Sequence, residues 1–235
     1  MPTLPVQGSD VPYRVKPGKI IALGLNYRDH VAESLSVIKS GNTELPTEPI
    51  LFAKTPNVLI GPGEEIVIPT SFLVKYGFNS LRTDYEAELA IIIGVGGRNI
   101  PAADARSHIF GYTCFNDVSQ RNIQNSDRSG WFRGKSFDTF GPIGPVIVPG
   151  ALVGDPQNLD ILCRLNGVVV QRSNTRNMIF SIDEQLSFIS SQITLEEGDI
   201  IVTGTPSGVG PLRHGDTVEI EIQGIGVLVN TVRET

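Results

Sequence analysis

Short apolar runs recur along the whole chain, and glycine or proline separates most of them. Residues 218–223 alternate apolar and polar side chains, which predicts a strand with one face in water. Ser181 and Glu184 form a capping-box pattern before apolar positions at helical spacing, so we expect a helix to begin there. Further strands are predicted at 20–25, 50–53, 58–60 and 66–68, and short helices at 29–35 and 102–110.

Composition favours a single β-rich globular domain. The 235 residues include 25 glycines and 16 prolines, which punctuate many short elements and favour long loops, one of them predicted at 36–48. A net charge of −6 argues against a nucleic-acid partner, because nucleic acids bind basic faces. No apolar run approaches the length of a membrane span, and residues 1–13 lack the apolar core of a signal peptide.

The two cysteines bear on the compartment. Cys114 and Cys163 each lie in an apolar setting, so we expect buried free thiols in a reducing cytoplasm. A single disulfide between them is the alternative.

The strongest chemical signal is a pair of acids at the start of the apolar run 87–93. Glu86 and Glu88 are two residues apart, so in a strand both carboxylates point to the same face. Like charges beside a buried segment are costly unless a cation joins them, and a hard divalent metal is the simplest such cation. Asp117, after the apolar run 111–116, could supply a third oxygen. The alternative interpretation is a solvated strand end.

A second signal lies in the predicted helical turn at 29–35. His30 and Glu33 share one face at a spacing of three residues. A carboxylate beside an imidazole orients the ring and raises its basicity, which suits a general base acting on water. The alternative is a surface turn with an incidental histidine and glutamate.

Polar and basic residues downstream indicate the charge of a substrate. Arg121, Gln124 and Lys135 follow Asp117, and cations beside a metal suggest an anionic substrate, typically a carboxylate. Ordinary surface charge is the alternative for each of them. The glycine-rich turn 204–210 lacks the lysine and the spacing of a P-loop, so we do not interpret it as a nucleotide site.

Taken together, these motifs resemble the fumarylacetoacetate hydrolase family, specifically its small single-domain acylpyruvate hydrolase and oxaloacetate decarboxylase branch. The resemblance runs from about Lys19 to Val232, and its segments follow the order of the family. They are residues 24–27 with His30 and Glu33, then 48–52, 61–63, 85–89, 116–118, 135–138, 178–181, 198–201 and 203–206.

The resemblance implies a fold and an assembly. The expected fold is α+β and predominantly β, a mixed β-sandwich roll with a few short helices. A single catalytic domain would span 19–235 after an N-terminal extension at 1–18, and the protein would be a homodimer.

The resemblance also implies a site. It implies that Mg²⁺ or Mn²⁺ is bound by Glu86, Glu88 and Asp117. His30 and Glu33 would form a water-activating dyad on a lid, with Lys135 as a further catalytic residue. The substrate-binding residues would be Arg121, Gln124 and Thr205.

The implied reaction is hydrolysis of a C–C bond in acylpyruvates such as fumarylpyruvate or acetylpyruvate. Alternatives with the same metal site are an oxaloacetate decarboxylase or tautomerase and a 2-hydroxyhepta-2,4-diene-1,7-dioate isomerase or decarboxylase. A non-catalytic dicarboxylate-binding dimer is the alternative from another class.

Two departures from the family pattern concern the substrate. Asn122 follows Arg121 where related chains often have aspartate, and residues 70–83 form a longer segment that would line the pocket mouth or a dimer edge.

Overall fold

The computed structural model describes residues 1–33, 44–128 and 130–235, with the side chains of residues 32 and 33 outside that description. These residues form seventeen strands, five α-helices and three 3₁₀ helices. The strands are β1 (Thr3–Val6), β2 (Ser9–Arg14), β3 (Ile20–Gly24), β4 (Ile50–Lys54), β5 (Leu59–Ile60), β6 (Glu65–Ile68), β7 (Thr83–Tyr85), β8 (Ala87–Ile93), β9 (Ile109–Asn116), β10 (Ser119–Gln120), β11 (Gly141–Pro149), β12 (Asp160–Leu165), β13 (Val168–Asn174), β14 (Ile200–Val202), β15 (Gly210–Pro211), β16 (Thr217–Ile222) and β17 (Gly226–Glu234). The helices are α1 (Arg28–Glu33), α2 (Thr70–Lys75), α3 (Arg121–Ser126), α4 (Phe132–Lys135) and α5 (Ile182–Gln192), with 3₁₀ helices at Pro56–Val58, Ala102–His108 and Thr175–Asn177.

The strands form three sheets, and two of them pack face to face. The nine-stranded sheet has the order β2-β1-β11-β9-β8-β14-β3-β4, with β5 beside β11. The five-stranded sheet, β13-β12-β16-β17-β6, packs against the middle of the first, and the third sheet has the order β10-β7-β15. Parallel pairs such as β3 with β14 occur beside antiparallel ones. The prediction of a mixed, predominantly β sandwich with few short helices is confirmed.

The hydrophobic core lies between the two large sheets. Strand β8 is buried at every position, because β9 and β14 pair with its two edges while β12 and β16 cover one face. A strand buried on both faces has no solvated positions, which explains why its sequence is a continuous apolar run. The acids at its start are therefore held in the interior of the fold.

Most of the predicted elements are present. The strands β3, β4, β6 and β16 occupy the predicted positions, and α1 begins at the predicted turn. The predicted strand at 58–60 is shorter, because Pro56–Val58 form a 3₁₀ helix before β5. Residues 36–43 of the predicted loop lie outside the described residues.

The predicted helix at 102–110 is wrong in its type and in its end. Ala102–His108 form a 3₁₀ helix, and the chain enters β9 at Ile109. Gly111 therefore lies within a strand and does not terminate a helix. A Cβ at Gly111 would lie 2.6 Å from the carbonyl oxygen of Val148, so this glycine permits close approach of β11.

The N-terminal residues belong to the large sheet. β1 pairs in parallel with β11, and β2 pairs with β1 at the edge. Pro5 and Pro12 lie in these two strands, and proline is compatible with strands near a sheet edge. The division of the chain at residue 18 stays a prediction.

One asparagine fixes the edge of the sheet where the site lies. Asn26 follows β3, donates from Nδ2 to the carbonyl oxygen of Thr203 at 2.8 Å, and accepts from the Phe180 N–H at 2.9 Å. Gly204 has a φ of 96°, and a Cβ there would lie 2.8 Å from the Asn26 Cβ. Because β3 and β14 are parallel neighbours, the segments that follow them leave the sheet at one edge and carry His30 and the turn after Thr203 to the same place.

Two further expectations concern the whole chain. Cys114 and Cys163 are buried free cysteines, as predicted. Within the part of the chain that the structure describes, no helix is long and apolar enough to cross a membrane.

The capping box of α5 gives a testable contribution to stability. Ser181 Oγ accepts from the Glu184 N–H, and the Glu184 carboxylate accepts from the Ser181 N–H at 2.7 Å. We expect Ser181→Ala to lower the free energy of unfolding by about 1 kcal/mol, because a helix N–H loses its acceptor. Urea unfolding measures the change. Ser191→Ala, at an exposed position near the end of the same helix, is the control, and an equal loss in both variants would contradict this account.

Candidate active site and metal centre

Strand register brings three carboxylates together. Glu86 lies between β7 and β8, and Asp117 follows β9. Ala87 pairs with Asn116 across β8 and β9, and the Asp117 N–H donates to the Glu86 carbonyl at 2.9 Å. Glu88 lies one pleat further along β8. One oxygen from each of the three carboxylates lies within 4.8 Å of the others.

All three carboxylates are buried, and neighbouring groups orient two of them. Ser119 Oγ–H donates to Glu86 Oε1 at 3.0 Å, and the Gly204 N–H donates to Glu88 Oε2 at 2.5 Å. The Glu86 backbone N–H donates to Asn116 Oδ1 at 2.9 Å. The carboxylates therefore have fixed directions before any ligand binds.

Two buried lysines neutralise part of this charge. Lys135 Nζ lies 2.8 Å from Glu86 Oε2 and 2.5 Å from Asp117 Oδ2, and Lys54 Nζ lies 2.5 Å from Asp117 Oδ1. Although burial opposes its charge, the pKa of Lys135 is raised by Asp117 and Glu86. Burial lowers the pKa of Lys54, and Asp117 opposes that shift only in part. Lys135 also lies over the ring of Phe52, 5.0 Å from its centroid.

Two arginines share a fourth buried carboxylate, that of Asp84. Arg82 Nε lies 2.9 and 3.1 Å from the two Asp84 oxygens, and Arg121 Nε lies 2.8 Å from Oδ2. Arg121 Nη2 lies 2.6 Å from Glu86 Oε1, and Arg121 Nη1 donates to Gln124 Oε1 at 2.9 Å. A continuous network of ion pairs thus leads from Arg82 to the three central carboxylates.

A pocket of about 280 Å³ opens over this network. That volume is close to the lower end of the roughly 300–1,000 Å³ of small-molecule sites. Arg82, Asp84, Glu86 and Glu88 line it, whereas Asp117 lies behind them with no exposed surface. The predicted site residues on its lining are His30, Arg121, Gln124, Lys135 and Thr205.

Apolar side chains also line the pocket. Leu23 and Leu25 come from the end of β3, and Val209 comes from the turn before β15. The rings of Phe52 and Trp131 meet edge to face, with centroids 5.4 Å apart. A ligand would therefore contact both charged groups and hydrocarbon.

The electrostatics of Glu86 favour its charged form. Burial opposes ionisation, but Lys135, Arg121 and His30 together hold the pKa of the Glu86 carboxyl below its ordinary value. The contribution of His30 means that the imidazole is close enough to interact with this carboxylate. His30 is itself buried at the pocket and belongs to α1.

Glu88 has the opposite tendency. Burial is the largest cause of the increase in its pKa, and the charges of Asp117 and Glu86 raise it further. Lys135 and the Gly204 N–H offset this only in part. Ionised Glu88 therefore needs a further cation. Three converging carboxylate oxygens are the donor set that Mg²⁺ and Mn²⁺ prefer, so the residues fit a hard divalent metal.

Thr205 is held at the pocket by a buried amide. Its Oγ1 accepts from Gln171 Nε2 at 2.9 Å, and the Gln171 Oε1 accepts from the Ala87 N–H at 3.0 Å. This links the turn after β14 directly to the strand that carries the acids.

The structure brings eight of the nine predicted site residues to one place, and the Glu33 side chain lies outside the described residues. Sequence reasoning missed Lys54, Arg82, Asp84, Gln171 and Trp131. Asp84 is two residues before Glu86 and so shares its face, which is a signal that the sequence did contain. Lys54 gives no such local signal, because its pairing with Asp117 depends on the strand order.

Residues 19–233 match the family model described as fumarylacetoacetate (FAA) hydrolase C-terminal. The chain belongs to the fumarylacetoacetate hydrolase family. The match covers almost the range expected from the sequence motifs and confirms that resemblance.

Relatives in this family have several named activities. Oxaloacetate tautomerase FAHD2A, mitochondrial, of Bos taurus is 42% identical over 92% of this chain and 67% of its own length. Fumarylpyruvate hydrolase from Pseudomonas aeruginosa, solved with Mn²⁺ and pyruvate, superposes with a TM-score of 0.85 at 30% identity, over 99% of this chain and 96% of its own. A 5-carboxymethyl-2-hydroxymuconate delta-isomerase from Mycobacterium smegmatis has a TM-score of 0.80 at 38% identity, over 94% and 78%. These relatives agree with the predicted small branch.

The raised pKa of Glu88 predicts that metal binding releases a proton. Below the raised pKa of Glu88 we expect the binding of Mg²⁺ or Mn²⁺ to displace a proton from this carboxyl, so affinity increases as the pH rises toward that pKa and then levels off. Isothermal titration in buffers of different ionisation enthalpy measures the number of protons released. Glu88→Gln should remove the release. A binding enthalpy that is independent of the buffer in the wild type would contradict the prediction.

Proposed function

We propose that this protein is a divalent-metal-dependent enzyme that acts on 2-oxo acids and hydrolyses a C–C bond in acylpyruvates. The observation that carries the proposal is the meeting of Glu86, Glu88 and Asp117 within 4.8 Å beneath a pocket that His30 and Lys135 also line. This combination supplies a cation site, an acid–base group and a positive charge for an anionic substrate in one small volume.

The metal would be held by Glu86, Glu88 and Asp117. When bound, Mg²⁺ or Mn²⁺ would supply a Lewis acid that stabilises negative charge on the 2-oxo oxygen of the substrate. The relative from Pseudomonas aeruginosa was solved with Mn²⁺ and pyruvate, which supports both the ion and the substrate class.

The substrate-binding groups are already oriented by protein contacts. Arg121 is held at Nε by Asp84 and at its terminal nitrogens by Glu86 and Gln124, so its remaining N–H groups have fixed directions. Arg121 and Lys135 would attract the substrate carboxylate. Gln124 and Thr205 would donate hydrogen bonds to its oxygens.

His30 would be the general base, with Glu33 as its partner. The imidazole takes a proton from water, and the water oxygen attacks the distal carbonyl carbon of the acylpyruvate. The bond between that carbon and C3 then breaks, and its electron pair stays with the pyruvate portion as an enolate. Protonation at C3 gives pyruvate beside the released carboxylic acid.

Oxaloacetate tautomerisation is the second candidate. The 42% identity to the bovine tautomerase favours it. That reaction moves one proton between C3 and the 2-oxo oxygen, so it needs an acid–base group but no nucleophilic water. Loss of CO₂ from oxaloacetate would also pass through an enolate, as would isomerisation of 2-hydroxyhepta-2,4-diene-1,7-dioate, the activity named for a relative from Mycobacterium marinum. A dimer that binds dicarboxylates without turnover is the remaining alternative.

The assembly and compartment are part of the proposal. We expect a homodimer in the cytoplasm. The bovine relative is named as mitochondrial, so the compartment differs within the family.

Proton NMR of the purified protein tests the reaction. Acetylpyruvate, fumarylpyruvate and oxaloacetate are each supplied with Mg²⁺ or with EDTA. We expect Mg²⁺-dependent formation of pyruvate with acetate or fumarate. Enol–keto interconversion of oxaloacetate as the sole activity would replace the hydrolase by the tautomerase. Full activity in EDTA after removal of bound metal would contradict the metal site.

The role of His30 separates hydrolysis, which needs an activated water, from decarboxylation of oxaloacetate, which does not. We expect His30→Ala to lower acylpyruvate hydrolysis by at least about 100-fold, the scale of a lost acid–base group. Decarboxylation of oxaloacetate should decrease much less. His214→Ala, remote from the pocket, is the control. Unchanged hydrolysis by the His30 variant would remove the imidazole from the mechanism.

Glu86 is expected to be required for every activity. Glu86→Ala removes a metal ligand and an ion-pair partner of Lys135, so neither hydrolysis nor oxaloacetate turnover should be measurable. Glu219→Ala, on the solvated face of β16, is the matched control. Thermal unfolding of both variants identifies loss of the fold. Residual turnover above a few per cent in a folded Glu86 variant would exclude this carboxylate as an essential ligand.

A further inference from the structure

We infer that Arg82 binds a second carboxylate of the substrate and makes this site selective for dicarboxylic 2-oxo acids. The inference rests on the proposed function and goes beyond it, because it names the part of the substrate that lies away from the metal. Arg82 is the last residue but one of the long segment 70–83, where the chain departs from the usual family pattern.

The buried carboxylate of Asp84 holds the guanidinium group of Arg82. Its Nε donates to both oxygens of Asp84, whose side chain has no exposed surface. A buried carboxylate that accepts a hydrogen bond from Nε restricts the orientation of the guanidinium plane. The two terminal nitrogens make no hydrogen bond to Asp84, and the outer edge that they form can bind a carboxylate through two parallel hydrogen bonds.

Arg82 and Arg121 differ in how many of their nitrogens contact other residues of the protein. Arg121 uses all three of its nitrogens on Asp84, Glu86 and Gln124, and 14% of its side chain is exposed. The side chain of Arg82 is 44% exposed, and within the described residues its side-chain hydrogen bonds and ion pair involve Nε alone. Among those residues, the four N–H groups on its two terminal nitrogens have no hydrogen-bond partner, so they can donate to a ligand.

Arg82 lies at a part of the pocket that the far end of a substrate would reach. Arg82 lines the same pocket as Glu86 and Glu88, and it also borders a shallow depression between α3 and the segment before β7. It therefore lies at the outer margin of the pocket, with Arg121 between it and the central carboxylates. A substrate whose first carboxylate and 2-oxo group lie over the metal site would direct its far end toward this margin.

The protein compensates the positive charge of Arg82 only in part. Asp84 carries one negative charge and is shared by two guanidinium groups, so the charge of Arg82 is compensated only in part. The leucine and phenylalanine side chains on the lining, Leu23, Leu25 and Phe52, offer no hydrogen bond to an anion. The terminal nitrogens of Arg82 are therefore a favourable place for a second substrate carboxylate.

The test compares substrates with one and with two carboxylates in Arg82→Gln. For fumarylpyruvate and oxaloacetate we expect kcat/KM to decrease about 10- to 100-fold, mainly through KM, because one charge-assisted contact is lost. For acetylpyruvate the decrease should be at least about ten times smaller. Arg233→Gln is the matched control, since Arg233 is also 44% exposed and also holds a carboxylate, that of Glu65, through Nε.

A purely structural role gives a different result. If Arg82 acted only by positioning Arg121 through Asp84, the variant would lose activity equally with all three substrates, and that outcome would overturn the inference. Arg82→Lys should restore part of the dicarboxylate activity, because the charge returns without the second donor.

Binding of acids that are not turned over separates this inference from the proposed function. With Mg²⁺ present, isothermal titration should show tighter binding of 2-oxoglutarate than of 2-oxobutyrate to the wild type and no such preference in Arg82→Gln. Equal affinity of the wild type for both acids would overturn the inference even in an active enzyme. An inactive wild type that keeps the preference would contradict the proposed reaction alone.

Discussion

The burial of several like charges in one small volume is the constraint on which this site depends. Glu86, Glu88 and Asp117 are buried where β8 begins and β9 ends, so water screens their repulsion only weakly. Lys135 and Lys54 neutralise part of that charge, while burial and the charges of Asp117 and Glu86 raise the pKa of Glu88. A divalent cation would compensate the remaining charge, so the same electrostatic imbalance that costs stability would give the site an affinity for metal.

The sheets are arranged so that a pocket opens over this cluster. Pairing of β8 with β9 sets Asp117 beside Glu86, and the parallel strands β3 and β14 bring α1 and the turn with Thr205 to the same edge. Asn26 holds those two segments together. The core therefore supplies rigid positions for the acids, while the segments at the edge supply the groups that would contact a substrate.

Local chemistry was visible in the sequence, and long-range pairing was not. The spacing of Glu86 and Glu88 predicted a shared face because a strand has a period of two. Lys54 could not be found in that way, since its contact with Asp117 spans 63 residues and depends on the order of five strands. The N-terminal strands were missed because β2 is largely exposed and both strands contain proline. The α-helix predicted at 102–110 was wrong because residues 102–108 form a 3₁₀ helix and residues 109 and 110 already belong to β9.

The central claim is that one divalent metal binds between Glu86, Glu88 and Asp117. Anomalous diffraction from crystals grown with Mn²⁺, recorded near the manganese absorption edge, tests it most directly. The account predicts one strong peak in contact with an oxygen of each carboxylate, absent from crystals grown with EDTA. A map without a peak there, with Lys135 and Lys54 still bound to the carboxylates, would contradict it.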